Sequence, residues 1–137
     1  WRFCMLYALL SNEKIIKKNI QLMSNKKIGM LGNNKISINN LYVNSNRVIK
    51  YIDRYNDYFK IKDRTGGEFI PGTIFWIKGE ILDNYFNKQN LKELYEEMPK
   101  DYCGSKKNTK EGLPHGMERF FGVLVNEYGM ETHSYLE

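Results

Sequence analysis

The sequence predicts a mixed α/β fold in which short strands alternate with helices. Apolar residues recur at helical spacing in several segments, and short apolar runs beside glycine or proline are typical of buried strands. The composition agrees with this prediction, because 42% hydrophobic and 14% aromatic residues in a chain of 137 are enough to form a core. We therefore expect residues 1–137 to be a single α/β domain or a fragment of one.

The N-terminal half is predicted to be mainly helical, with one buried strand. Ile15, Ile16, Ile20 and Met23 recur at helical spacing, and Ser11 and Asn12 are both able to cap their helix. A short apolar run containing Gly29 predicts the strand. The predicted elements are helices over residues 2–10, 13–23 and 46–55, the last capped by Ser45, a strand over 27–32, and an irregular Asn-rich stretch over 33–45.

The C-terminal half is predicted to begin with a broken strand. The stretches 69–70 and 73–77 are strand-like, and Pro71-Gly72 between them predicts a bend, because proline cannot donate to a strand ladder. Pro114 suits the first turn of a long helix. The remaining predicted elements are helices over residues 81–86 and 91–98, a polar loop over 100–112, the end of the long helix at Gly129, and a last strand over 130–133.

The net charge of +5 comes from lysines that are spread along the chain. Lys, Asn and Ile are abundant together, as AT-rich coding sequence produces, and the basic residues do not alternate with aromatic ones as in nucleic-acid-binding modules. We therefore expect no nucleic-acid partner. An anionic membrane or a phosphate-bearing substrate remains compatible with this charge.

The long C-terminal helix carries the main candidate site. His115, Glu118, Arg119 and Gly122 are three or four residues apart, so they share one helix face. Glu118 beside a cation is a candidate general base toward a hydroxyl group. Arg119 can either steady that carboxylate or bind a substrate phosphate. A solvated polar face with an ordinary Glu/Arg pair is the open alternative. No metal site is predicted, because His115 and Glu118 lack a third ligand and the two-histidine zinc protease pattern is absent.

The segment from Gly72 to Trp76 is the second candidate surface. Aromatic rings cover the apolar faces of sugars, and glycine lets a ligand approach the backbone. Strand alternation puts Phe75 and Trp76 on opposite faces, so we expect one in the core and the other in a cleft. A purely structural role for both rings is the alternative. If this segment faces the long helix, the two form a pocket that contains an acid/base group.

Other recognisable catalytic motifs are missing from the sequence. There is no glycine-rich phosphate loop with a Lys-Ser/Thr ending and no Gly-x-Ser-x-Gly elbow. No Asp-x-Asp pair is present to hold a divalent metal on a nucleotide diphosphate.

Four features occur in a recognisable order along the chain. They are the Trp-led first helix with its Leu-Leu end, the Ile28-Gly29 strand, the Phe-x-Pro-Gly-Thr-x-Phe-Trp motif at 69–76, and the His-x-x-Glu-Arg-Phe motif at 115–120. This order resembles the rhamnan-synthesis F family of glycosyltransferase-like proteins of polysaccharide assembly. The lead-in to the last helix, Leu113-Pro114, departs from the usual pattern of that family.

The resemblance implies a nucleotide-sugar-dependent transferase whose fold is similar to the C-terminal part of a GT-A-like (Rossmann-like) domain. The partners would be a nucleotide sugar, with rhamnose as a candidate sugar, and a saccharide acceptor. The resemblance also implies a cytoplasmic protein, which a lipid-linked acceptor would bring to the membrane surface. It does not decide whether the reaction uses a divalent metal ion. The implied site residues are Glu118 as the base, His115 at a phosphate or hydroxyl group, and Gly72, Thr73 and Trp76 along the sugar or acceptor site.

The nucleotide-binding half of such proteins is missing from this chain, which opens at Trp1 within an apolar run. We therefore expect an acceptor-side fragment that is inactive by itself. The alternative is a non-catalytic carbohydrate-binding or interaction module that keeps the fold. A basic nucleic-acid binder is the least favoured interpretation.

Overall fold

The computed structural model describes residues 2–33, 46–64, 67–98 and 112–135. In these ranges the chain forms a mixed α/β fold with six helices and a small three-stranded sheet. Nearly all of the predicted polar loop and of the Asn-rich stretch lies outside the described residues. The elements are α1 (Arg2–Leu10), α2 (Glu13–Met23), β1 (Ile28–Asn33), α3 (Asn46–Tyr58), β2 (Trp76–Ile77), α4 (Gly79–Tyr85), α5 (Lys88–Glu97), α6 (Gly112–Glu127) and β3 (Glu131–Tyr135).

Strand β1 is the centre of the sheet, whose order is β2-β1-β3. It pairs antiparallel with β2, where Leu31 is opposite Trp76, and parallel with β3, where Leu31 is opposite His133. Every residue of β1 is buried, and a strand covered on both faces has a continuous apolar sequence rather than an alternating one. The buried strand predicted over 27–32 and the last strand predicted over 130–133 are both confirmed, with small shifts at their ends.

The first two helices have the predicted bounds. Helix α2 begins after Asn12, whose side chain accepts a 3.0 Å hydrogen bond from the Ile15 N–H, as expected of an N-cap. Asn19 of α2 is fully buried, and its Nδ2 donates a 3.1 Å hydrogen bond to the Leu9 carbonyl, which ties α2 to the end of α1. Ser45, the predicted cap of α3, lies outside the described residues.

Helices α3 and α6 form the centre of the core. The Phe59 and Phe120 rings stack with centroids 5.1 Å apart, and the Tyr55 ring lies 5.5 Å from that of Phe120. Gly116 lets the two helices approach closely, because a Cβ built there would lie 2.7 Å from the Tyr51 Cβ. Phe120 of α6 therefore packs against Tyr55 of α3 and against Phe59 directly after that helix.

The strand predicted over 73–77 is wrong in its first part. Within 67–77, which the structure describes throughout, the strand is limited to Trp76–Ile77. Gly72 and Thr73 have φ angles of 90° and 56°, and such left-handed values interrupt an extended strand. The bend predicted at Pro71-Gly72 is confirmed. Phe75 and Trp76 are both half-buried.

Replacing Gly116 with alanine should destabilise the protein. The new methyl group would meet Tyr51 of α3, and separating two packed helices costs about 1–3 kcal/mol. Gly79→Ala is the matched control, because a Cβ at Gly79 has nothing within 4 Å. Denaturant unfolding followed by circular dichroism measures both free energies of unfolding. Equal free energies for the two variants would contradict the close approach of α3 and α6.

The stability of the protein should fall in alkaline solution, in part through Tyr55. Burial raises the pKa of its hydroxyl, which donates a 3.3 Å hydrogen bond to the Leu113 carbonyl. The unfolded chain ionises this phenol near pH 10 whereas the folded chain keeps it neutral, so its contribution is complete below about pH 10 and is lost above it.

The free energy of unfolding should therefore fall less steeply above about pH 10 in Tyr55→Phe than in the unsubstituted protein. Urea denaturation at several alkaline pH values measures this slope. Parallel pH profiles for the two proteins would show that Tyr55 ionises equally in both states.

Candidate functional site

One face of α6 lies along the segment 67–73. Glu118 contacts Gly72, and one helical turn later Gly122 contacts Glu68, so the segment runs antiparallel to the helix. The Glu118–Gly72 contact joins residues 46 positions apart in sequence. It brings together the two motifs on which the sequence prediction of a site depends.

Gly122 determines how closely the segment approaches the helix. A Cβ built at Gly122 would overlap the carbonyl oxygen of Glu68 and would lie 3.0 Å from the Phe69 Cβ. Because the overlapped atom belongs to the backbone, no side-chain rotation could relieve the clash. A larger residue at this position would push the segment, and Gly72 with it, away from α6.

The Glu118 carboxylate lies between the turn and His115. Its Oε1 accepts a hydrogen bond from the backbone N–H of Gly72, and its Oε2 lies 3.5 Å from His115 Nδ1. The Glu118 side chain is 12% exposed, whereas that of His115 is 50% exposed. The carboxylate is therefore shielded and contacted at both oxygens, and the imidazole is the more accessible member of the pair.

The turn that Glu118 holds has unusual backbone geometry. Thr73 is exposed and has a φ of 56°, which a β-branched residue rarely adopts. Such a conformation costs on the order of 1–3 kcal/mol and persists where surrounding contacts maintain it. The hydrogen bond from Gly72 to Glu118 is one such contact. Sequence reasoning found the bend through Pro71-Gly72 but missed that it extends to Thr73.

Arg119 also contacts the segment. Its guanidinium carbon lies 4.8 Å from the centroid of the Phe69 ring, a cation–π contact worth about 0.5–2 kcal/mol. Burial lowers the pKa of the Arg119 guanidinium, and the neighbouring Glu118 carboxylate partly opposes the shift. Arg119 therefore has a structural role in addition to its predicted role at a substrate phosphate.

Trp76 is positioned by the sheet rather than by α6. Its backbone pairs with Leu31 of β1, and its side chain is half-buried. The adjacent Phe75 meets Phe121 of α6 edge to face, with ring centroids 5.3 Å apart. The structure thus brings Gly72, Glu118 and His115 together directly, and Trp76 follows a few residues beyond that cluster.

A groove of about 280 Å³ lies at the Gly122 end of the contact. Asn126 in its wall donates a 3.1 Å hydrogen bond to Asp63. Sequence reasoning missed this groove because its lining comes from separate segments that share no spacing pattern. The lining residues are Gly67, Glu68, Gly122, Val125, Asn126, Met130, Glu131 and Thr132.

Removing the Glu118 carboxylate should loosen the turn at Gly72. A partly buried N–H without an acceptor costs about 1–3 kcal/mol, so Glu118→Ala should speed amide hydrogen exchange at Gly72. Glu118→Gln keeps an oxygen that can accept the bond and should preserve more of the protection. Exchange at Gly72 that is as slow in Glu118→Ala as in the unsubstituted protein would show that the side chain at this position does not hold the turn.

Comparison with known proteins adds no family assignment to this geometry. Searches of protein-family models, curated proteins and solved structures gave no match to this chain. Among the described residues, no group of three or more His, Cys, Asp or Glu side chains could hold a metal ion. The helices in the same ranges include none with the length and apolar character needed to cross a membrane.

Proposed function

We propose that the chain is the acceptor-side portion of a glycosyltransferase related to the rhamnan-synthesis F family. It would help to transfer a sugar, with rhamnose as a candidate, from a nucleotide sugar to a saccharide acceptor. The observation that carries the proposal is the hydrogen bond from the Gly72 N–H to Glu118, because it unites the two motifs of the resemblance. The fold would correspond to the C-terminal part of a GT-A-like domain, with the nucleotide held by a region outside this chain.

In the proposed reaction the acceptor hydroxyl oxygen bonds to the anomeric carbon of the donor sugar. The bond between the anomeric carbon and the diphosphate breaks, and the nucleoside diphosphate leaves with its electrons. The proton of the acceptor hydroxyl passes to the His115–Glu118 pair, which acts as the base. The pair suits this role because Glu118 is fixed by Gly72 and His115 is open to solvent. Most of the rate would come from positioning the two substrates and from stabilising the departing diphosphate.

The surroundings of the pair are compatible with a saccharide acceptor. Thr73 offers an exposed hydroxyl group beside Gly72, and half-buried Trp76 offers an aromatic surface of the kind that covers sugar rings. The groove near Gly122 adds carboxylate, amide and hydroxyl groups that could bind further acceptor hydroxyls. A lipid-linked acceptor would bring the protein to the membrane surface.

The second candidate function is a non-catalytic carbohydrate-binding or interaction module. The observation that favours it is the low exposure of Glu118, 12%, with protein groups at both carboxylate oxygens. A carboxylate with this environment can serve solely to hold the turn. The two functions differ in one measurable respect, because a module binds saccharides without turning over a nucleotide sugar.

Turnover of nucleotide sugars by the complete protein that contains this chain tests the proposal. Transfer from UDP-, GDP- and dTDP-linked sugars to oligosaccharide acceptors would be measured for the unsubstituted protein and for Glu118→Gln. The substitution should lower turnover by about 10²–10⁴-fold, the usual contribution of a general base and its partner. Near-normal turnover of Glu118→Gln would overturn the assignment of the pair, and saccharide binding without any turnover would favour the module.

Glu127→Gln is the matched control for this experiment. Glu127 is also on α6, and its carboxylate also accepts backbone hydrogen bonds, at 3.2 Å from Lys62 and 2.7 Å from Asp63. Loss of its charge should cost comparable stability but should leave turnover unchanged. A parallel loss of turnover in both variants would indicate a general folding defect.

A further inference from the structure

We propose that His115 is the residue that contacts the acceptor hydroxyl, and that Glu118 positions it by holding the imidazole proton on Nδ1. This inference rests on the proposed function and divides the roles within the pair. It reverses the assignment that the sequence favours, in which the glutamate is the base. The geometry of the two side chains carries the argument.

Access to solvent separates the two residues. Half of the His115 side chain is exposed, against 12% of the Glu118 side chain. Glu118 Oε1 accepts from the Gly72 N–H, and Oε2 faces the imidazole. An incoming hydroxyl group therefore reaches the ring more easily than it reaches either carboxylate oxygen.

The carboxylate also selects the tautomer of the ring. A neutral imidazole carries its proton on one nitrogen and a lone pair on the other. Nδ1 lies 3.5 Å from Glu118 Oε2, so a lone pair on Nδ1 would face a negative oxygen. A proton on Nδ1 replaces that repulsion with attraction, which leaves the lone pair on Nε2, at the opposite edge of the ring.

The hydrogen bond from Gly72 to Glu118 supports the choice of the Nδ1-protonated tautomer. It fixes one carboxylate oxygen on the backbone of the turn, so the other oxygen stays directed at His115 one helical turn away. The turn, the carboxylate and the imidazole thus form a chain of contacts from the backbone to an exposed base. In this arrangement Gly72 and Glu118 act on the acceptor through His115.

In the resulting step, His115 Nε2 takes the proton of the acceptor hydroxyl as its oxygen bonds to the anomeric carbon. The nucleotide diphosphate departs with the electron pair of the broken bond. The imidazolium that forms is stabilised by the Glu118 carboxylate, which keeps its own charge, and then releases the proton to water. Atoms and charge balance without a further reactant.

Nitrogen-15 NMR of the chain tests the tautomer without any substrate. The sequence contains two histidines, and His133 of β3 serves as the internal control. At a pH at which both rings are neutral, long-range proton–nitrogen correlations should show His115 with its proton on Nδ1. In Glu118→Gln the amide oxygen can keep the Gly72 bond while the amide nitrogen donates to Nδ1, so His115 should move to the Nε2-protonated form. The His133 signals should not change.

A His115 ring protonated on Nε2 in the unsubstituted chain would overturn the inference. So would an unchanged tautomer in Glu118→Gln when hydrogen exchange shows that Gly72 is still protected. Either result leaves the proposed transferase function intact, because neither measures turnover.

Turnover of nucleotide sugars by the complete protein is the second test of this inference. His115→Gln should lower turnover at least as much as Glu118→Gln, by about 10²–10⁴-fold. Near-normal turnover of His115→Gln together with a large loss in Glu118→Gln would reverse the roles and overturn the inference. An unsubstituted protein that binds saccharides but transfers no sugar would instead overturn the proposed function, and the acceptor contact with it.

Discussion

The close contact between Gly122 and the backbone of Glu68 is the constraint on which the candidate site depends. It lets the segment 67–73 lie directly on α6, which places the Gly72 N–H within reach of the Glu118 carboxylate. That same carboxylate accepts the hydrogen bond of Gly72, which together with Thr73 has a left-handed φ angle. If the segment moved outward, the Gly72 N–H would lose its acceptor.

Helix α6 joins the core and the site because two of its faces pack at short range. On the core side, Gly116 lets α3 approach and Phe120 stacks on Phe59. On the site side, Gly122 does the same for the segment 67–73. The aromatic packing against α3 fixes the rotation of α6 about its axis. With that rotation, Glu118 faces the turn and accepts a hydrogen bond from the Gly72 N–H.

A single carboxylate links the stability of the turn to the chemistry proposed for the site. Glu118 accepts a backbone hydrogen bond through one oxygen and faces an exposed imidazole with the other. A residue in that position is constrained by both partners, so its removal would affect both the turn and the chemistry proposed for the site. Glu127 is on the same helix and accepts hydrogen bonds from the backbone N–H groups of Lys62 and Asp63. It therefore holds a backbone segment as Glu118 does, but it does not face an imidazole among the described residues.

The sequence by itself determined the local elements of this protein. Helical periodicity and the Asn12 cap defined the early helices, and an uninterrupted apolar run defined the central strand. Spacings of three and four placed His115 and Glu118 on one face of α6, since these relations depend on residues close in the chain. Tertiary structure alone decided that Gly72 opposes that face, that Glu118 is shielded, and that Thr73 adopts a left-handed φ. Those features depend on which distant segment packs against the helix, and a glycine such as Gly122 gives no hydrophobic signal of the contact it permits.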